Sequence, residues 1–258
     1  MSENNPYQAP ETELGSVAEI GEPQGVEAGR GTGWIGEGFN AFKQNPGIWI
    51  AIIVIWFAIS LGLQIIPVIG PLASNLMWPV FMGGIMLGCQ ALDDGDDLTL
   101  GHLFAGFSEK AGPLFSLGAM YLVLMIAVVI VVAIIGAMMG GGLFMMLGGD
   151  PNAMQGREGE FLGLIAIFFL VFMALYLPVL MAIWFAPALV MLADKGVFES
   201  LKLSFVGCLR NIIPFLVYGI VALILLVIAV IPVGLGLLVM FPVLFASVYA
   251  AYKDIYGA

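Results

Sequence analysis

"IWIAIIVIWFAISLGLQIIPVIGPLASNLMWPVFMGGIMLGCQAL" covers residues 48–92 without one charged side chain. A helix needs about 20 apolar residues to cross the hydrocarbon core of a bilayer, and this stretch holds 45. It therefore reads as two crossings, joined where proline and glycine gather in "IIPVIGP" (65–71). Three more charge-free blocks cover 111–149, 161–193 and 211–252. The last is also long enough for two crossings, with "IPVGLG" (231–236) as its turn; the others give one each, about 113–139 and 161–193. The expected fold is all-α, a polytopic membrane bundle of six transmembrane helices.

Composition points the same way. The chain has 258 residues, of which 61% are hydrophobic and 10% charged, with a mean hydropathy of +1.07. A soluble domain would be about a quarter charged. The net charge of −10 arises from acids in the N-terminal stretch and in a few loops. No basic stripe exists for nucleic acid, so no nucleic-acid partner is expected. Residues 1–32 carry seven Glu or Arg within "MSENNPYQAPETELGSVAEIGEPQGVEAGRG" and have no apolar core for a signal peptide. They are expected to form a disordered acidic tail, leaving 33–258 as the transmembrane domain.

Orientation follows from lysine and arginine near the span ends. With six spans, Arg30, Lys43, Lys110, Lys195, Lys202, Arg210 and Lys253 fall on one face and only Arg157 on the other. Both termini are therefore expected in the cytoplasm.

A repeat runs through the spans. "MWPVFMG" (77–83) returns as "YLPVLMA" (176–182) and "MFPVLFA" (240–246). Each copy lies in an even-numbered span, before a charged exit at Asp93–Asp94, Asp194–Lys195 or Lys253–Asp254. Ahead of each odd span comes a short amphipathic segment. Leu100, Leu103, Phe104 and Phe107 make one helical face, Phe198, Leu201, Phe205 and Leu209 a second, and Trp34, Ile35, Phe39 and Phe42 a looser third. These segments are expected to lie as helices in the cytoplasmic interface, in preference to loops packed on the bundle. The unit is thus an interfacial helix, a span, an outer turn and a Pro-Val span, in three parallel tandem copies of about 34–97, 98–196 and 197–258. Parallel copies differ from the inverted repeats of many secondary transporters.

The candidate packing or hinge positions follow from that repeat. Pro79, Pro178 and Pro242 remove a helix hydrogen bond at the same place in each unit. Small residues four apart come after them: Gly84 and Gly88, Ala182 and Ala186, Ala246 and Ala250. Such spacing lets helix backbones approach in lipid. Gly136 and Gly140 repeat it in the third span.

Chemistry has little foothold. The spans hold no Asp, Glu, Lys, Arg or His, the residues that mark ion or proton routes at depth. The lone histidine, His102, lies in an amphipathic segment and reads as surface or cap chemistry. "DDGDDLT" (93–99) fits neither register of a calcium loop; it reads as a solvated loop, with Asp97 or Thr99 capping the next helix. Met138, Met139, Met145, Met146 and Met154 suit packing at the membrane edge over Cu(I) binding, as no His or Cys joins them. Cys89 and Cys208 lack metal spacing and read as small buried side chains. No catalytic residue, metal or cofactor is expected, and the protein is not expected to be an enzyme.

"WFAPALVMLADKGVFESLKLSF" (184–205), "RNIIPFLVYGIVALIL" (210–225) and "FPVLFASVYAAYKDIYG" (241–257) resemble a family of uncharacterised proteobacterial six-span inner-membrane proteins. The architecture is similar to that of YciC-like proteins and of the membrane domain attached to some glycerophosphodiester phosphodiesterases. "NPYQAPE" (5–11) resembles the NPYxAP start of many small bacterial membrane proteins. The resemblance implies a bacterial inner-membrane location and transfers no catalytic residue. The expectation is a scaffold or accessory that binds membrane lipids or other membrane proteins. The alternative is a transporter or channel for a small or lipidic solute.

Overall fold

The computed structural model describes residues 20–146 and 158–257, and of residues 140–158, 160 and 161 only the backbone where it is helical. The secondary structure of the described residues is helical: α1 (Arg30–Gln44), α2 (Pro46–Gln64), α3 (Ile69–Asp93), α4 (Gly101–Glu109), α5 (Ala111–Met146), α6 (Glu158–Trp184), α7 (Ala186–Leu192), α8 (Val197–Arg210), α9 (Ile212–Val230) and α10 (Leu237–Tyr256). Six stretches are long and apolar enough to span a membrane: α2, α3, α5, α6 with α7, α9 and α10. These sequences are rich in Ile, Val and Leu, and a helix is the form that satisfies their backbone groups within the segment when water is absent.

Both expected turns form where proline stands. Between α2 and α3, the Ile69 N–H donates to the Pro67 carbonyl at 2.8 Å, a γ-turn that holds Val68 at φ +66°. Positive φ is costly for a β-branched residue. Gly70 follows, packed so tightly that a Cβ would lie 1.8 Å from the Leu63 carbonyl oxygen. Between α9 and α10, Val233 again takes positive φ, at +55°.

The helices sort into two shells. In α3 and α10 the share buried is 56% and 50%, against 17% or less in the other four spans. Two of the Pro-Val helices thus form the centre, and the third joins them through α7, where Ala186, Leu189 and Val190 are fully buried. The outer spans leave Val123, Ile130, Leu223 and Val227 exposed on their surfaces, as expected where the solvent is lipid.

The three short helices share one mode of seating. On Gly106 of α4 a Cβ would lie 2.1 Å from the Val80 carbonyl oxygen of α3. On Gly38 of α1 a Cβ would likewise lie 2.3 Å from the Val243 carbonyl oxygen of α10. Val80 and Val243 each follow the proline of their helix. On α8 the corresponding small residue is Ser204, whose hydroxyl donates to the Met181 carbonyl of α6 at 2.7 Å. α4 and α8 therefore rest on the Pro-Val helices that precede them, and α1, the first described helix, rests on α10. The arrangement closes into a ring.

Two findings differ from the sequence reading. Residues 20–32, expected within the disordered tail, are built into the bundle. The Gln24 N–H donates to the Ile255 carbonyl at 2.8 Å, and the buried Asn211 amide binds both Gln24 and Val26. A segment poor in apolar side chains is thus held by its backbone. Neither Asp97 nor Thr99 caps α4 by its side chain; instead His102 Nδ1 accepts the Thr99 N–H at 3.1 Å. Residues 1–19, Met154 and Arg157 lie outside the described residues.

Candidate functional site

Where the Pro-Val helices converge they leave an apolar crevice of about 420 Å³. Trp78 and Met82 of α3, Leu180 and Trp184 of α6, and Phe245 of α10 form three of its sides. α9 supplies the fourth with Tyr218, Gly219 and Leu223. A second crevice of about 370 Å³ adjoins it, sharing Trp78, Leu180 and Ile183 as a common wall. Its other lining is polar and uncharged: Ser74, Asn75, Tyr121 and Tyr176. Volumes of this order are those of small-molecule sites.

Among the described residues, two buried polar atoms of this region have no hydrogen-bond partner, Ser74 Oγ and Trp184 Nε1. An indole N–H can only donate, and a buried donor left unpaired costs about 1–3 kcal/mol. Other polar groups nearby are satisfied. Tyr218 and Ser247 share a hydrogen bond of 2.9 Å, and Ser247 also donates to the Leu244 carbonyl. Asn75 donates to the Pro71 carbonyl at 2.8 Å.

The charged end is organised by acids at the ends of the Pro-Val helices. Asp254 accepts from Arg30 Nε at 2.5 Å and from the buried Trp34 indole at 2.7 Å. The hydrogen bonds to Asp254 and Glu37 raise the Arg30 pKa above its ordinary value. Asp93 accepts twice from Lys253, at 2.7 Å each. Asp194 pairs with Lys110, which holds its carboxyl below the usual range. A small polar crevice of about 180 Å³ lies among Glu37, Gln44, Asp93 and Lys253. Among the described residues no cluster of His, Cys, Asp or Glu could hold a metal ion.

The predicted repeat positions are divided between these features. Gly84 and Gly88 face α4, where Cβ atoms would come 2.2 Å from the His102 carbonyl oxygen and 2.6 Å from Leu98. Ala246 and Ala250 are buried on α10 and line the charged-end crevice beside α1. Pro79 and Pro242 are buried, whereas Pro178 is exposed. Ala182 is half-buried, while Ala186 packs in a separate cluster with Val80, Leu114 and Leu117. The pair of the second unit differs because its helix breaks at Phe185. There the Ser204 hydroxyl enters the ladder, accepting the Phe185 N–H at 2.9 Å and donating to the Met181 carbonyl. Gly136 packs against Phe168 of α6; the surroundings of Gly140 lie outside what is described.

Sequence reasoning did not single out Ser204 or Asn211, and it read Asp254 only as part of a charged exit. One signal was available: a small residue before Phe recurs as Gly38-Phe39, Gly106-Phe107 and Ser204-Phe205 in the three short helices.

Against known proteins, the chain is 31% identical to a probable inner membrane protein of Burkholderia thailandensis, over 90% of this chain and 93% of that one. The chain belongs to that inner-membrane protein family. Its six apolar helices fit a multi-pass protein of the inner membrane. No protein-family model and no solved structure matches it.

Proposed function

We propose that this protein is a non-catalytic inner-membrane component that binds lipids or partner membrane proteins. The observation that carries the reading is the uncharged lining of the paired crevices at the centre of the bundle. A site without an acid, base or nucleophile pair suits binding better than bond-breaking. The same reading sets both termini in the cytoplasm, with seven of the eight cations at that face. It also sets α1, α4 and α8 at the interface, where Phe39, Phe104, Phe198 and Leu209 stay exposed at the charged end. The similarity to YciC-like proteins and the NPYxAP-type start accord with it. Mass spectrometry of the protein in lipid-preserving particles tests it: a reproducible lipid or protein companion is expected, and none at all would overturn it.

A second reading, a transporter or channel for a small or lipidic solute, draws support from the broken ladder at Phe185 and the three prolines. It predicts flux in proteoliposomes that Pro79→Ala, Pro178→Ala or Pro242→Ala alters. No flux across a broad solute panel would retire it.

A further inference from the structure

We infer that the two adjoining crevices form one binding site for an uncharged lipid bearing hydroxyl and ester oxygens, a diacylglycerol-type molecule. The inference rests on the lipid-binding reading above and names its site and ligand chemistry.

The larger crevice is walled by Trp78, Met82, Leu180, Phe245 and Leu223, and offers almost no polar surface. It suits hydrocarbon. The adjoining one offers Ser74, Asn75, Tyr121 and Tyr176, and it suits oxygen atoms. An amphipathic ligand spanning the shared wall at Trp78 and Ile183 would meet each half with matching chemistry. The absence of charge in both linings decides the head group. A phosphate or ammonium buried there would have no counter-ion, and a buried unpaired charge is far costlier than a neutral polar group. The polar half supplies the recognition: the Asn75 amide and the Tyr121 and Tyr176 hydroxyls line it, groups that ester and hydroxyl oxygens match. Ordinary hydrocarbon tails would fill the apolar half but leave this polar lining unmatched.

The test uses the full chain in vesicles of phosphatidylethanolamine and phosphatidylglycerol containing a diacylglycerol with a photoactivatable diazirine in one acyl chain. Cross-links are expected on peptides of α3, α6, α9 and α10. Excess dioleoylglycerol should compete, and excess dioleoylphosphatidylglycerol should not. Gly219→Phe fills the apolar crevice from α9, where a Cβ meets nothing within 4 Å, so the fold should tolerate it while labelling is lost. Tyr121→Phe and Tyr176→Phe should each weaken labelling by about fivefold, the loss of one neutral hydrogen bond. Labelling that survives Gly219→Phe, or that both competitors reduce alike, marks ordinary surrounding lipid and overturns the site. If diacylglycerol fails but another lipid or a protein accompanies the purified chain, the site falls and the wider reading stands. If nothing accompanies it, both fall.

Discussion

Gly38 of α1 approaches α10 so closely that a Cβ would stand 2.3 Å from the Val243 carbonyl oxygen and 2.9 Å from the Ser247 nitrogen. Both obstacles are backbone, which cannot step aside as a flexible side chain would. The contact joins the first helix of the domain to the last. It is the seam of the ring.

Gly38→Leu is therefore expected to force α1 off α10 and destabilise the protein by about 1–3 kcal/mol, the usual range for overpacking. Gly36→Leu, on the same helix with nothing within 4 Å of its Cβ, should not lower stability and should gain about 0.5–1 kcal/mol from helix propensity. Thermal unfolding of the two variants in detergent checks the pair. Equal midpoints would show that the seam contributes nothing.

Ser204→Ala removes the hydroxyl that bridges Phe185 and Met181. Two residues on, Pro187 already lacks the N–H that would meet the Ile183 carbonyl. The variant is expected to lose about 1–3 kcal/mol, the cost of buried backbone groups left unpaired. Ser204→Thr, which keeps the oxygen, should lose less. A thermal shift series of wild type and both variants reads the difference.

His102 gives a pH signature. Burial disfavours its charged form and lowers its pKa below the ordinary value of about 6.5. The folded chain therefore takes up the proton less readily than the unfolded one. The stabilisation is complete above about pH 6.5 and is lost as pH falls through the lowered value. Protonation also removes the acceptor that holds the Thr99 N–H. Between pH 7 and pH 5 the wild-type melting midpoint should fall more than that of His102→Gln. Parallel curves would contradict the assignment.

Val68 predicts a gain. Its side chain is 73% exposed, so it contributes little packing, while its positive φ costs about 1–3 kcal/mol. Val68→Gly should relieve that strain and raise the melting midpoint. Val54→Gly, within α2 and 50% exposed, should lower it through lost helix propensity. Circular dichroism of the two variants separates turn strain from composition.

These contacts explain what the sequence could and could not reveal. The six spans were legible because charge is excluded from lipid, so the blocks around 48–92 and 211–252 announce themselves. The turns at 65–71 and 231–236 were legible from proline and glycine. The seating of the short helices was not. Their stripes were read as facing lipid, yet Trp34, Ile35 and Leu103 are buried in the bundle while Phe39 and Phe104 stay exposed. Periodicity finds a stripe but not which neighbour covers it. The binding of residues 22–26 was invisible for a related reason. It depends on backbone hydrogen bonds to Asn211 and Ile255, and composition is silent about those. The crevice lining also escaped notice, since Ser74, Tyr121 and Tyr176 come from three different helices and meet only once the chain is folded.

The closed ring has a consequence for synthesis. Ribosomes deliver α1 well before α10, the helix on which it rests. Phe215 and Tyr218 reach Trp34 with α9, but until α10 enters the bilayer the Trp34 indole has no Asp254 and Gly38 has no Val243 to rest on. α1 is made early and seated late, so a chain truncated before Leu237 should remain open and fall to quality-control proteases. Completion of the protein is thereby reported by its own first turn of helix.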